Sequence, residues 1–214
     1  MKTRLLKGTA QDTLKVVFLG FGQDLTPFFS LKLSSDTLFV YDYEDDSADF
    51  GVIYKYEKYD VIAWSLGVMM ADIFVSKTER KPRKMIAING TPFGVNSEKG
   101  VDSALYQATL ANLSEDNMMR FYRRMCGRGQ EFIAFSKVKP LRSIDSFKNE
   151  LIFLAGKSAS HCPGENIWDE AFIGLKDAII APLNQERGWR DLALNVVKLD
   201  VSHYSAQFFK EKLE

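Results

Sequence analysis

Ser65, Asp177 and His203 are the residues of this chain whose types and surroundings best suit one reaction, nucleophilic attack on an ester carbonyl. A serine hydroxyl is a weak nucleophile until a base takes its proton, and the base works best when a carboxylate fixes its orientation. Ser65 ends the strand-like run Tyr59 to Trp64, and Leu66 and Gly67 lead straight into the helix-compatible Val68-Met-Met-Ala-Asp-Ile-Phe-Val75. A serine on such a strand-to-helix turn has its hydroxyl lifted clear of the sheet, and the first N–H groups of the helix point at charge developing beside it. The turn needs small residues two before and two after the serine. Gly67 meets this need, and Ala63 stands where the usual motif has glycine.

The chain has two histidines. His161 lies in the turn-like Ser160-His-Cys-Pro-Gly164, whereas His203 follows the last apolar run, Leu194 to Leu199, by a short loop. In parallel sheets, loops after strands gather at one end, so His203 is the expected base. Asp177 lies in Gly174-Leu-Lys-Asp177-Ala-Ile-Ile-Ala-Pro182, a G-x-x-D-x-[IV]-x-x-P pattern in which serine hydrolases place their acid. The order serine, acid, histidine is itself a recurrent one. The tetrahedral intermediate needs two N–H donors. Leu66 supplies one from the turn, and Phe21, in Leu19-Gly-Phe-Gly22 after the first strand, is the expected second, with Leu19 where a histidine-glycine motif has histidine. Trp64 and Phe21 are expected to flank the acyl channel. A cysteine nucleophile at Cys162 is disfavoured, because its sequence neighbour His161 cannot readily face it. Gly127 and Gly129 around Arg128 lack the P-loop or dinucleotide pattern that phosphate binding would require.

These groups need a frame. Leu14–Leu19, Thr37–Tyr41, Tyr59–Trp64, Lys84–Ile88, the stretch from Asp169 and Leu194–Leu199 read as about six short strands alternating with helical segments. That alternation predicts an α/β fold, a mostly parallel central sheet with helices on both faces. From about 93 to 150 the pattern turns helical, with Leu105, Leu110, Leu113, Met118, Phe121, Tyr122 and Met125 spaced to line apolar faces and Ser114 placed to start a helix. An insertion at this point is where a lid would sit.

Length and composition set the bounds. At 214 residues, 46% hydrophobic and with formal net charge zero, the chain suits one domain, 1–214, and excludes bulk electrostatic binding to nucleic acid. No apolar run reaches the roughly 18 residues of a membrane span, and the basic start lacks a signal peptide's apolar stretch. Two cysteines without metal-like spacing suit free thiols in a reducing compartment, so a cytoplasmic protein with no metal site and no cofactor is expected. Charge is unevenly spread: residues 24–60 carry nine acids against three lysines, whereas Arg120, Arg123, Arg124, Arg128, Lys137, Lys139 and Arg142 face only Glu131 over 120–142.

Ala63-Trp-Ser65-Leu-Gly67, Ala87-Ile-Asn-Gly-Thr-Pro92, Arg123-Arg-Met-Cys-Gly127 and Pro182-Leu-Asn-Gln-Glu-Arg-Gly-Trp189 together resemble the BioG-type pimeloyl-[acyl-carrier protein] methyl ester esterases of biotin synthesis. The resemblance runs over nearly the whole chain and includes the alanine at position 63. It implies a reduced α/β-hydrolase fold lacking the first strands of larger relatives. It also implies hydrolysis of the methyl ester at the far end of a pimeloyl chain carried on phosphopantetheine, with acyl carrier protein as partner. A basic surface at Arg120, Arg123, Arg124, Arg128 or Arg142 would then dock the acidic carrier. Two rivals share the sequence features: a short-chain carboxylesterase or thioesterase with no carrier, and a non-catalytic carrier-binding module.

Overall fold

The computed structural model describes residues 1–127, 129–164 and 168–214, with the backbone alone at Gln11. Its strands are β1 (Lys2–Leu6), β2 (Ala10–Phe18), β3 (Ser35–Tyr41), β4 (Lys58–Trp64), β5 (Lys84–Ile88), β6 (Trp168–Gly174) and β7 (Ala193–Leu199). They form one sheet in the order β1-β3-β2-β4-β5-β6-β7, parallel throughout except for β1, which runs antiparallel to β3. The central strands are covered on both faces, so they read as unbroken apolar runs: Val16, Val17, Phe18, Val61 and Ala63 are all fully buried.

The sheet has one strand more than the six expected. β1 is a short edge strand whose Lys2 and Arg4 alternate outward, and charge on an edge deters further pairing. Those same charges break up the apolar run by which a strand is read in the sequence. The reduction of the fold therefore stops short of removing every strand before Leu14.

Helix α1 (Gly67–Lys77) follows β4, and α2 (Ser103–Ala111), α3 (Glu115–Cys126), α4 (Gln130–Lys137) and α5 (Ile144–Ser160) lie between β5 and β6. α6 (Pro182–Trp189) and α7 (Ala206–Leu213) follow β6 and β7. α1 buries residues on every side, as expected of a helix packed between sheet and insertion. In α3 the hydroxyl of Ser114 accepts the Asn117 N–H at 3.2 Å, and Met118, Phe121, Tyr122 and Met125 form the buried stripe. α5 runs on to Ser160, past the expected end of the insertion at 150, because Leu151 and Leu154 continue its buried face.

The strand order turns back between β2 and β4: from β2 the chain winds outward to β3, and from β4 it winds the other way. Loops after two such neighbouring strands diverge and leave a crevice at the carboxyl end of the sheet. The loop after β2 is 19–22, and the turn after β4 holds Ser65.

Candidate functional site

Ser65 sits at φ +58°, a backbone conformation unfavourable for a residue with a side chain and held by its surroundings. The close approaches explain the small residues around it. A Cβ on Gly67 would lie 2.4 Å from the Leu19 carbonyl oxygen, and one on Gly90 would lie 2.2 Å from the Ser65 carbonyl oxygen. Ala63 pairs across the sheet with Phe18 on one side and Ala87 on the other and is accommodated there.

The three sequence-predicted residues meet in one hydrogen-bonded chain. His203 Nε2 lies 2.9 Å from Ser65 Oγ, and His203 Nδ1 lies 2.7 Å from Asp177 Oδ2. With Nδ1–H donating to the carboxylate, Nε2 is left to accept the serine proton. Asp177 is itself fixed: Oδ1 accepts the N–H groups of Ile179 at 2.8 Å and Ile180 at 2.9 Å, and Oδ2 also accepts the Gln185 side-chain amide at 2.8 Å. Pro182 then opens α6, which carries Gln185, so the G-x-x-D-x-I-x-x-P pattern encodes Asp177 together with the groups that hold it. The His203 and Asp177 side chains are about fully buried, at 1% and 0% exposure.

The loop bearing His203 hangs on two side chains that sequence reasoning missed in this role. Asn89, at φ +45° just after β5, donates from Nδ2 to the carbonyls of Ser202 at 3.0 Å and His203 at 2.8 Å. Its Oδ1 accepts the Gly174 N–H at 2.6 Å, tying the ends of β5 and β6 to the same loop. The only signal in sequence was an Asn-Gly pair after a strand, which reads as a turn. Trp64 is the second. It was expected to flank the acyl channel, but it is buried and its indole N–H donates to the His203 carbonyl at 2.9 Å, with Phe209 edge-on at 5.1 Å. Trp64 is the last residue of β4 and packs against Tyr204 and Phe209, while Ser65 leaves the strand in the turn and faces the pocket.

Above Ser65 lies a narrow, mostly apolar pocket of about 440 Å³ including its mouth, walled by Phe21, Leu66, Leu105, Phe121, Leu151 and Ile179 among others. The 19–22 loop presses against the serine: a Cβ on Gly20 would lie 2.9 Å from Ser65 Cβ. Among the described residues neither the Phe21 nor the Leu66 N–H donates to a protein acceptor. Two unpaired donors beside a buried serine are the arrangement that a developing oxyanion would satisfy.

The pocket adjoins a wider cleft between α2 and α3 of about 1020 Å³, the two sharing Leu105, Thr109, Phe121 and Arg124. Arg120 and Arg124, one helical turn apart and both exposed, line this cleft. Arg123 is also exposed but lies over the Phe132 ring at 5.0 Å. Among the described residues none of these three is ion-paired. Arg128 lies outside the described residues. Arg142, expected on the docking surface, is instead buried at 6% side-chain exposure, bonded to Asp42 and, at 2.6 Å, to Glu150. Two carboxylates in a dry interior draw a guanidinium inward, because each would otherwise be an unpaired buried charge.

The chain matches the family described as "Pimeloyl-ACP methyl esterase BioG" over residues 1–212. A solved structure of BioG from Haemophilus influenzae superposes with a TM-score of 0.86 at 27% identity, covering 98% of this chain and 97% of that one. An α/β-hydrolase fold protein from Chitinophaga pinensis, at 14% identity and TM-score 0.65, covers 98% of this chain and 88% of its own, a likeness of fold alone. A malonyl-[acyl-carrier protein] O-methyltransferase from Bacteroides fragilis is 36% identical over 197 residues, which are 92% of this chain but 40% of that protein. The chain thus spans less than half the length of that relative. With a mostly parallel sheet, a serine on the turn after β4 and a match along nearly its whole length, the chain belongs to the BioG family of esterases on the α/β-hydrolase fold.

Proposed function

We propose that the protein hydrolyses the methyl ester of a pimeloyl chain borne by acyl carrier protein, with Ser65 as nucleophile, His203 as base and Asp177 as the group that orients it. The observation that carries this reading is the Ser65–His203–Asp177 hydrogen-bond chain at the floor of an apolar pocket. Ser65 Oγ attacks the ester carbonyl as His203 Nε2 takes its proton, and the Phe21 and Leu66 N–H groups receive the oxyanion. The imidazolium, held by Asp177, then protonates departing methanol and leaves an acyl-enzyme. Water, deprotonated by His203, attacks that ester and frees the carboxylate.

The substrate is read from shape and charge. Apolar walls suit a run of methylenes, and an ester at the far end of the chain would reach Ser65 while the carrier stays outside. The phosphopantetheine arm would follow the adjoining cleft, and Arg120, Arg124 and the nearby Arg123 would face the acidic carrier. The insertion of α2 to α5 would serve as the lid of a single domain. The name of the Bacteroides relative is consistent with this reading, since O-methylation of a carrier-bound dicarboxylate makes an ester of this kind.

The test is methanol release from methyl pimeloyl-carrier by wild type and Ser65→Ala, with free methyl esters alongside. Cleavage of the carrier substrate, lost in Ser65→Ala, is expected. Equal or better turnover of the free esters would move the function to a carrier-independent esterase, and activity surviving in Ser65→Ala would remove the serine from the mechanism.

A further inference from the structure

The loop that would supply the second oxyanion donor has Leu19 where a histidine-glycine motif has histidine, so something else must hold it. We propose that Glu150 of α5 is a positioning residue for the oxyanion hole, its carboxylate setting the 19–23 loop so that the Phe21 N–H faces the reacting carbonyl. The inference rests on the esterase reading above.

Glu150 is fully buried, and one of its oxygens accepts the Gly22 N–H at 2.9 Å while the other accepts the Tyr43 N–H at 3.2 Å. Arg142 Nη1 donates to the first oxygen at 2.6 Å and to the Gln23 carbonyl at 3.2 Å. On the other side of Phe21, the Tyr43 hydroxyl donates to the Leu19 carbonyl at 2.7 Å. The Tyr122 hydroxyl donates to the Gly22 carbonyl at 3.2 Å. The peptide carrying the unpaired Phe21 N–H is therefore fixed on both flanks, and Gly22 at φ +73° supplies a bend that other residues resist.

A carboxylate is an expensive way to hold a loop. Burial pushes the Glu150 carboxyl up from its ordinary range, and the guanidinium and two N–H groups work against that rise. Charge-assisted bonds are shorter and stronger than neutral ones, and they suit a loop whose other donor must stay unpaired for the substrate. Placement supports the same role. On α3, Phe121 lines the acyl pocket and its neighbour Tyr122 holds the loop; on α5, Leu151 lines the pocket and its neighbour Glu150 holds the loop. Pocket wall and oxyanion loop are thus set by the same two helices of the insertion.

The experiment compares wild type, Glu150→Gln and Tyr122→Phe, each normalised to active sites by titration with a serine-directed phosphonate. Ester turnover, affinity for a boronic acid that mimics the tetrahedral intermediate, and amide exchange over 19–23 are measured. Removing one oxyanion donor outright costs ~100-fold or more in kcat, so a misaligned donor in Glu150→Gln should lower kcat roughly tenfold or more. KM should stay close to wild type, boronate affinity should fall with kcat, and exchange over 19–23 should quicken. Tyr122→Phe should shift all three in the same direction by less. Should Glu150→Gln fail to fold, Tyr122→Phe decides. Turnover and boronate affinity per titrated site equal to wild type in the variants that fold would overturn the proposal while leaving the esterase reading intact. A wild type that neither cleaves esters nor takes up phosphonate would end both together.

Discussion

Replacing Asn89 by alanine should damage both the fold and the placement of the base, in proportions the structure lets one work out. The side chain makes hydrogen bonds at 3.0, 2.8 and 2.6 Å to the Ser202 carbonyl, the His203 carbonyl and the Gly174 N–H. At a net value of about 1 kcal/mol each, losing them amounts to roughly 3 kcal/mol. Alanine held at the left-handed backbone conformation of position 89 adds about 1 kcal/mol. The sum of about 4 kcal/mol is a large share of the 5–15 kcal/mol typical of a domain. The His203 carbonyl keeps the Trp64 indole as a partner, so the loop should loosen and not detach. A displacement of the base by about 1 Å costs on the order of 100-fold in rate. Urea unfolding gives the stability change, and kcat per phosphonate-titrated site at a temperature where the variant stays folded gives the catalytic one. Lost stability with kcat per site unchanged would show that Asn89 braces the sheet ends without aiming His203, and the reasoning would be refuted.

Trp64→Phe removes the indole N–H from the His203 carbonyl and leaves a void beside Tyr204 and Phe209, so it should lower stability by roughly 2–3 kcal/mol and reduce kcat several-fold while leaving acyl chain-length preference alone. A changed chain-length profile would restore Trp64 to the channel. Arg124→Glu should weaken turnover of the carrier substrate by about tenfold at low ionic strength and flatten its dependence on salt, a salt effect that free esters entering the pocket Arg124 also lines should not show. An unaltered salt profile there and in Arg120→Glu would remove the docking surface. Burial pushes the Cys126 thiol up to about 12, so at pH 8 almost none of it is thiolate, whereas Cys162 is exposed. A thiol reagent should therefore titrate one cysteine quickly in the native protein and both after denaturation; two fast equivalents in the native state would contradict this burial.

What was legible in the sequence is what local backbone geometry demands. Gly67 betrays the turn because only hydrogen fits where α1 presses on the end of β2, and the turn in turn locates Ser65. Asp177 is legible because the Ile179 and Ile180 N–H groups it binds and Pro182 lie within the same few residues. The supports were not legible, because each acts across a long stretch of chain: Asn89 reaches the His203 loop from the end of β5, and Glu150 reaches Gly22 from α5. A lone polar residue bears no mark of such a partner. Arg142 misled for a related reason: a run of bases in sequence does not say which of them turns inward toward a carboxylate. Trp64 misled because a neighbour in sequence need not be a neighbour in the pocket: Ser65 leaves the strand at φ +58°, whereas Trp64 stays in β4 and packs against Phe209.

The uneven charge of this neutral chain takes on a definite meaning once its pairs are traced. Asp42, from the acidic stretch, binds Arg142 and Lys2, and these bonds hold its carboxyl below the usual range despite burial. Lys157 of α5 meets Asp46, and Arg83 meets Asp60. Much of the acidic segment is therefore engaged with the rest of the protein, and in buried or close pairs the field of each partner largely cancels that of the other. Arg120, Arg123 and Arg124 keep no such partner among the described residues, although they stand on one helix and two of them line the cleft leading to Ser65. Three guanidinium groups without an acidic partner among the described residues, within little more than one turn of helix, repel one another, and α3 tolerates two of them best in its last turn, where the helix dipole favours positive charge. On the proposed function an anionic carrier would relieve that repulsion on binding, so the salt-sensitive step would be association with it, and turnover of free esters at Ser65 should be insensitive to ionic strength.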